Sequence, residues 1–171
     1  MHKTVLMNSD IYKGSEVNHI SYGSLQGEVT DFGSKDPIYA HTAIKVAEKV
    51  ASGEFNRGVL LCGTGLGVSI AANKVKGAYA ALVSDVYSAT RARLSNDANI
   101  MCMGAFTTGK KVREMLVDAF FTNDFIQGCS SQPKVDASVF FFKKSRAKSV
   151  LILPPLTMTA CFMICLIQSL L

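Results

Sequence analysis

The chain has 171 residues, room for one domain, and 49% of them are hydrophobic, ample for a real core. A formal net charge of +5 suits anionic small molecules, but the 18 Lys and Arg are not massed into a nucleic-acid stripe, and aromatics reach only 9% with no Trp, which argues against a base-stacking platform. The five cysteines, at 62, 102, 129, 161 and 165, form no CxxC pair that would suggest zinc, and Met1–Asp10 turns polar too soon for a secretory leader; the expectation is a cytoplasmic protein with reduced thiols.

In chain order, Thr4-Val5-Leu6-Met7 reads as a first strand ending at Asn8-Ser9-Asp10. Residues 11–27 hold Gly14, Gly23 and Gly27 with weak apolar spacing, so a short or irregular segment is expected. Glu28–Gly33 reads as a brief strand. Asp36-Pro37 then opens a helix, with Pro37 at its first position and an apolar stripe through Tyr39, Ala40, Ala43, Ile44, Val46, Ala47 and Val50; Gly53 ends it.

Next comes GVLLCGTGLGVSIAANK, residues 58–74. Val59-Leu60-Leu61 has the length and character of a buried parallel strand. Cys62 and three glycines (Gly63, Gly65, Gly67) make a turn, and a helix is expected from about Gly67 to Val75. Glycines let backbone N–H groups approach an anion, and such strand–turn–helix junctions are where open α/β sheets bind ligands. Ala78–Val83 is a further apolar run, Tyr87–Leu94 a helix, Asn99–Met103 a strand, and Thr108 is placed to cap a helix over Lys110–Thr122. Strand and helix alternate four or five times, which predicts a doubly wound, mainly parallel sheet.

The end differs in composition. Ser138–Phe142 is apolar, 143–148 is basic, and Ser149–Leu171 runs 23 residues without a charge. Length alone would allow a membrane contact through 149–171, but Pro154-Pro155 and several polar residues weigh against it. The expected division is a domain over 1–137 and a divergent basic, then hydrophobic, tail over 138–171.

Cys62 has the residue chemistry of a general base. A thiol at a strand end among glycine N–H groups has its thiolate favoured, whereas the commoner fate of cysteine is that of a small buried hydrophobe. The turns GVLLCGTGLGVSIAANKVKG (58–77) and ALVSDVYSATRARLSNDANIMCMGA (81–105), and more weakly KVDA (134–137), resemble the type B ribose-5-phosphate isomerase family, which includes the galactose-6-phosphate isomerase subunits. The resemblance covers roughly residues 3–136. It implies a Rossmann-like, five-stranded, mainly parallel sheet with helices on both faces, a homodimer or dimer of dimers with each site completed by the neighbouring subunit, and no metal or other cofactor.

The activity it implies is aldose–ketose isomerisation of a small sugar phosphate, either ribose 5-phosphate/ribulose 5-phosphate or a tetrose/tetrulose phosphate, through a cis-enediol with Cys62 as base. By the same resemblance Thr64 moves protons, and the N–H groups of Gly63, Gly65, Leu66, Gly67, Val68 and Ser69 hold the developing oxyanion. Asp10 and Asn96 hold sugar hydroxyls, and Lys134 holds phosphate as a point charge. Arg91 and Arg93 are further phosphate candidates, against the plainer reading of surface arginines.

Several positions depart from the family pattern. Ile11 stands where His is usual, Asp36 where Tyr is, Ser95 where the ring-opening His is, and Phe106 and Ser130 where arginines are. Serine is a poor acid for opening a sugar ring, so a substrate that is already open-chain is expected. These departures also support a competing reading, a catalytically degenerate module that binds a sugar phosphate. A nucleotide-binding dehydrogenase is disfavoured, because the glycine spacing of GTGLGVS does not match G-x-G-x-x-G.

Overall fold

A computed structural model describes residues 2–8, 27–32 and 36–147. Its elements run β1 (His2–Asn8), β2 (Gly27–Asp31), α1 (Tyr39–Ala51), β3 (Arg57–Cys62), α2 (Leu66–Ala72), β4 (Ala80–Leu82), α3 (Val86–Leu94), β5 (Ile100–Gly104), α4 (Lys110–Phe121) and α5 (Gln132–Ala147). The five strands form one sheet in the order β2-β1-β3-β5-β4, and all four pairings are parallel. The expected doubly wound α/β architecture is therefore present.

Alternation along the central strands builds two cores. On one face Leu60, Ile100 and Cys102 pack with Ala43, Val46, Ala47 and Val50 of α1 and with Val68 and Ala72 of α2. On the other, Val59, Leu61, Met101 and Met103 pack with Ala89 and Ala92 of α3 and with Leu116, Val117 and Phe120 of α4. Helices cover both faces, so β3 has no polar side, which is why Val59-Leu60-Leu61 is a continuous apolar run. Deleting the side chain of a residue as buried as Leu60 should cost about 2–5 kcal/mol.

The strand order reverses between β1 and β3: the chain leaves β1 toward β2 on one side, then crosses back to β3 on the other. The carboxyl ends of these two strands flank the crevice where a doubly wound sheet binds its ligand. Asn8 lies opposite Leu61, and Cys62 opposite Gly104 of β5, so the glycine turn sits at that crevice.

Local chemistry moves some expected boundaries. Pro37 is not the first helical residue. Helix α1 starts at Tyr39, and Asp36 accepts the Ile38 N–H at 2.8 Å and pairs with His41 Nδ1 at 2.7 Å, bracing the entry. Helix α2 begins one residue earlier than expected and stops at Ala72. Thr108 does not cap α4. Gly109 occupies the cap, while the Thr108 hydroxyl donates to Gly104 O at 2.6 Å and closes the preceding turn. Helix α5 has no counterpart among the expected elements. The unit that carries the sheet closes at Val135, and a second unit begins at Asp136. The irregular segment expected over 11–26 and the uncharged stretch 149–171 lie outside the described residues. Among those described, no helix is long and apolar enough to cross a membrane.

Candidate active site

The last residue of β3 is Cys62, half-buried rather than sealed in the core. Its sulfur accepts the Gly65 N–H at 3.1 Å, so the turn folds back over the thiol. That turn needs Gly65: its φ is +78°, and a Cβ there would stand 2.9 Å from the Met103 carbonyl carbon. Thr64 is exposed, and its hydroxyl accepts the Leu66 N–H at 3.4 Å. The Gly67 and Val68 N–H groups follow in the first turn of α2, where the helix itself supplies no acceptor. Ser69 plays another part: its N–H bonds Gly65 O at 3.1 Å and its hydroxyl donates to Ala80 O at 3.3 Å.

A second turn, 104–109, is zipped to the first. Ala105 N–H donates to Cys62 O at 2.7 Å and Phe106 N–H to Gly63 O at 3.0 Å. Gly104 lies so close to Thr64 that a Cβ on it would be 2.8 Å from the Thr64 backbone. Tyr39, at the start of α1, lays its hydroxyl end against Gly67. The apolar stripe through Tyr39 marked it as a core residue, yet it is 42% exposed and borders the glycine turn. Helical spacing carries no signal that would separate the two roles.

Below the site, Cys102 lies one strand over and fully buried, and burial raises its thiol well above the ordinary 9.0. Of the two thiols beside this turn, only Cys62 has an opening to solvent. Among the described residues no cluster of three or more His, Cys, Asp or Glu side chains is placed to hold a metal ion.

Within one chain the structure does not bring Asn96 to this turn. Helix α3 starts just past the carboxyl end of β4, capped by Asp85, and runs back along the sheet. Its C-cap is Ser95, and the turn that follows reaches the start of β3, where Gly58 N–H donates to Asn99 O at 3.0 Å. Ser95 and Asn96 thus lie at the edge opposite Cys62. Asn96 is exposed and donates to Arg91 O at 3.1 Å, while the Ser95 hydroxyl is buried with no partner among the described residues.

The rest of SNDAN is scaffold. Asp97 has φ +48° and holds Arg93 at 3.1 Å, and the Asn99 amide ties Gly77 O to the Tyr79 N–H, both at 2.8 Å.

Arg93 is not available to a phosphate: it is buried and bonds Asp97, Ala98 O at 2.5 Å and Asp124. Asp124 also pairs with buried Arg57, which donates to Phe120 O at 2.7 Å, so this cluster closes the opposite edge of the sheet. Arg91 is exposed on α3, and Lys134 stands exposed in the first turn of α5. Asp10 and Ile11 lie outside the described residues.

A family model described as ribose/galactose isomerase matches residues 12–137. The chain belongs to this family. Ribose-5-P isomerase B of Listeria innocua is 46% identical over 122 residues, which are 70% of this chain and 82% of that protein. D-erythrulose-4-phosphate isomerase of Pectobacterium atrosepticum is 41% identical over 112 residues, 63% of this chain and 73% of that one. Among solved structures, ribose-5-phosphate isomerase B of Clostridium thermocellum superposes with a TM-score of 0.76 at 36% identity, covering 84% of this chain and 99% of its own. The family's shared fold accounts for the parallel sheet, and the glycine turn stands at its switch point.

Proposed function

We infer that the chain is an aldose–ketose isomerase acting on a small sugar phosphate, with Cys62 as the base. The observation that carries the assignment of the base is the placement of a half-open thiol at the carboxyl end of β3, at the sheet's switch point, inside a turn of backbone N–H groups. Interconverting an aldose and a ketose requires a base that takes a proton from one carbon and returns it to the next. It also requires donors for the enediolate oxygen formed between. Cys62 supplies the first and the Gly67 and Val68 N–H groups are suited to the second. Thr64, exposed on the same turn, is suited to exchanging protons between O1 and O2. Asp10 and Lys134 complete the proposed binding set, Asp10 for sugar hydroxyls and Lys134 for the phosphate; the backbones of Gly63, Gly65, Leu66 and Ser69 shape the cup.

Asn96 enters from a second copy of the chain. It lies at the far edge of its own sheet, so it reaches a Cys62 only across an interface. Apolar side chains left exposed around the turn (Leu66, Ile70, Leu82, Val86, Tyr87 and Phe106) suit that interface. In a two-fold dimer the same patch faces itself with α3 reversed, which carries the Ser95–Asn96 end of one copy toward the Cys62 end of the other.

A four-carbon substrate fits the departures best. Ser95 cannot readily protonate a ring oxygen, and a tetrose or tetrulose with phosphate on O4 cannot close a furanose and needs no ring opening. Phe106, 72% exposed beside Gly63, adds an apolar wall rather than a charge at the mouth. Initial rates on D-erythrulose 4-phosphate and ribose 5-phosphate test this: faster turnover of the tetrulose is expected, and a clear preference for the pentose would refute it.

A further inference from the structure

We propose that Arg113 is a positioning residue for the isomerase centre, acting through the 104–109 turn on Cys62 and Gly63; the proposal rests on the assignment of Cys62 as base. Arg113 belongs to the first turns of α4 and is 94% buried by its relative exposure of 6%. One of its guanidinium nitrogens donates to two backbone carbonyls of the turn, Ala105 O at 3.3 Å and Thr108 O. A buried cation is costly unless its donors are used, and here they are spent on a loop rather than on a carboxylate.

That loop is the one zipped to the catalytic turn. Ala105, whose carbonyl Arg113 holds, donates its own N–H to Cys62 O at 2.7 Å. Its neighbour Phe106 donates to Gly63 O at 3.0 Å. Thr108, whose carbonyl Arg113 also holds, closes the turn onto Gly104 through its hydroxyl at 2.6 Å and its N–H at 3.1 Å. Gly104 in turn packs against the Thr64 backbone. The chain of contacts therefore runs from Arg113 to Ala105 and Thr108, then to Cys62, Gly63 and Thr64. The Arg113 guanidinium bonds the turn and not the reacting groups themselves, so its role is to set where the thiol and the hydroxyl stand. Small misplacements of reacting groups are expensive in rate, which gives a remote clamp of this kind a kinetic signature.

The test compares the full-length protein with Arg113→Met, which keeps the apolar stem and loses the donors, and Arg113→Lys, which keeps a cationic donor near the same point. Three readouts are taken at a temperature where unfolding curves show each protein folded: kcat and KM on the better of the two sugar phosphates, and the iodoacetamide alkylation rates of Cys62 and Cys129, followed by peptide mass spectrometry. The expected result for Arg113→Met is a kcat lower by about tenfold, KM within about twofold, and a changed Cys62 alkylation rate while Cys129 reacts as before. Arg113→Lys should recover most of the kcat. Wild-type kcat per folded molecule in Arg113→Met, with Cys62 alkylation unchanged, would overturn the proposal, as would an Arg113→Lys variant no better than Arg113→Met. If the wild-type protein turns over neither sugar, the isomerase assignment fails instead, and the alkylation comparison still decides whether Arg113 positions Cys62.

Discussion

Gly65 and Cys62 are one device. The left-handed glycine lets the chain reverse so sharply that its own N–H returns to the sulfur three residues back. Gly65→Ala should therefore cost about 1–2 kcal/mol from the positive φ alone, and more from overlap with the Met103 backbone, with turnover reduced because the thiol loses its donor. Gly53 supplies the control. Its φ is +80°, but a Cβ there would meet nothing within 4 Å, so Gly53→Ala should cost only the about 1–2 kcal/mol of the positive φ and leave kcat unchanged. Chemical denaturation and steady-state rates on both variants check this; equal rates for the two would contradict the role given to Gly65. At this scale the sequence showed much. Glycines at fixed offsets around a cysteine have few structural uses, and the turn is built where they stand. What spacing could not show was which glycine carries the positive φ, or that Tyr39 would leave its expected apolar stripe to border Gly67.

Among elements, the strands were the most legible, because burial on both faces leaves runs such as Val59–Leu61 and Ile100–Met103 with no polar residue. Helix starts were less so, since they depend on which side chain reaches a backbone N–H. Thr108 looked like a cap and instead ties off the turn before α4. Asn73, within the motif SIAANK, proves to be an edge device: its amide pairs with both the N–H and the carbonyl of Ala80, at 2.9 and 2.8 Å, covering the free side of the outermost strand. No spacing rule points to that contact, because its partner lies seven residues away across a turn. The cap of α3 carries a pH prediction. Asp85 accepts the Ser88 hydroxyl at 2.6 Å and the Ser88 N–H at 2.8 Å, and these bonds hold its carboxyl below the usual 3.8. A carboxylate whose folded pKa is lowered stabilises the fold above its unfolded value, and that stabilisation disappears as pH falls through the folded value. Asp85→Ala should therefore be less stable than wild type at pH 7, with the difference in denaturation midpoint shrinking as the pH drops below about 4. A gap that holds constant to pH 3 would contradict the assignment.

For the whole molecule, the decisive feature is that one chain carries Cys62 and Asn96, the two halves of the proposed site, at opposite edges of one sheet. A site shared between subunits is what the family resemblance implies, but spacing does not show which residues lie apart, because Cys62 and the SNDAN turn belong to one family pattern and only the direction of α3 separates them. If two copies share each site, Cys62→Ala and Asn96→Ala proteins should each be inactive, and mixing them under conditions that exchange subunits should restore about a quarter of wild-type activity, from heterodimers with one intact site. No recovery, with exchange shown by mass, would contradict the shared site. The sulfur at the end of β3 is the group on which the proposed reaction turns. The most direct measurement is the turnover of folded Cys62→Ala on whichever sugar phosphate the wild-type protein isomerises. Loss of about a thousandfold or more is predicted, as for removal of a general base, and a variant that isomerises at the wild-type rate would contradict it.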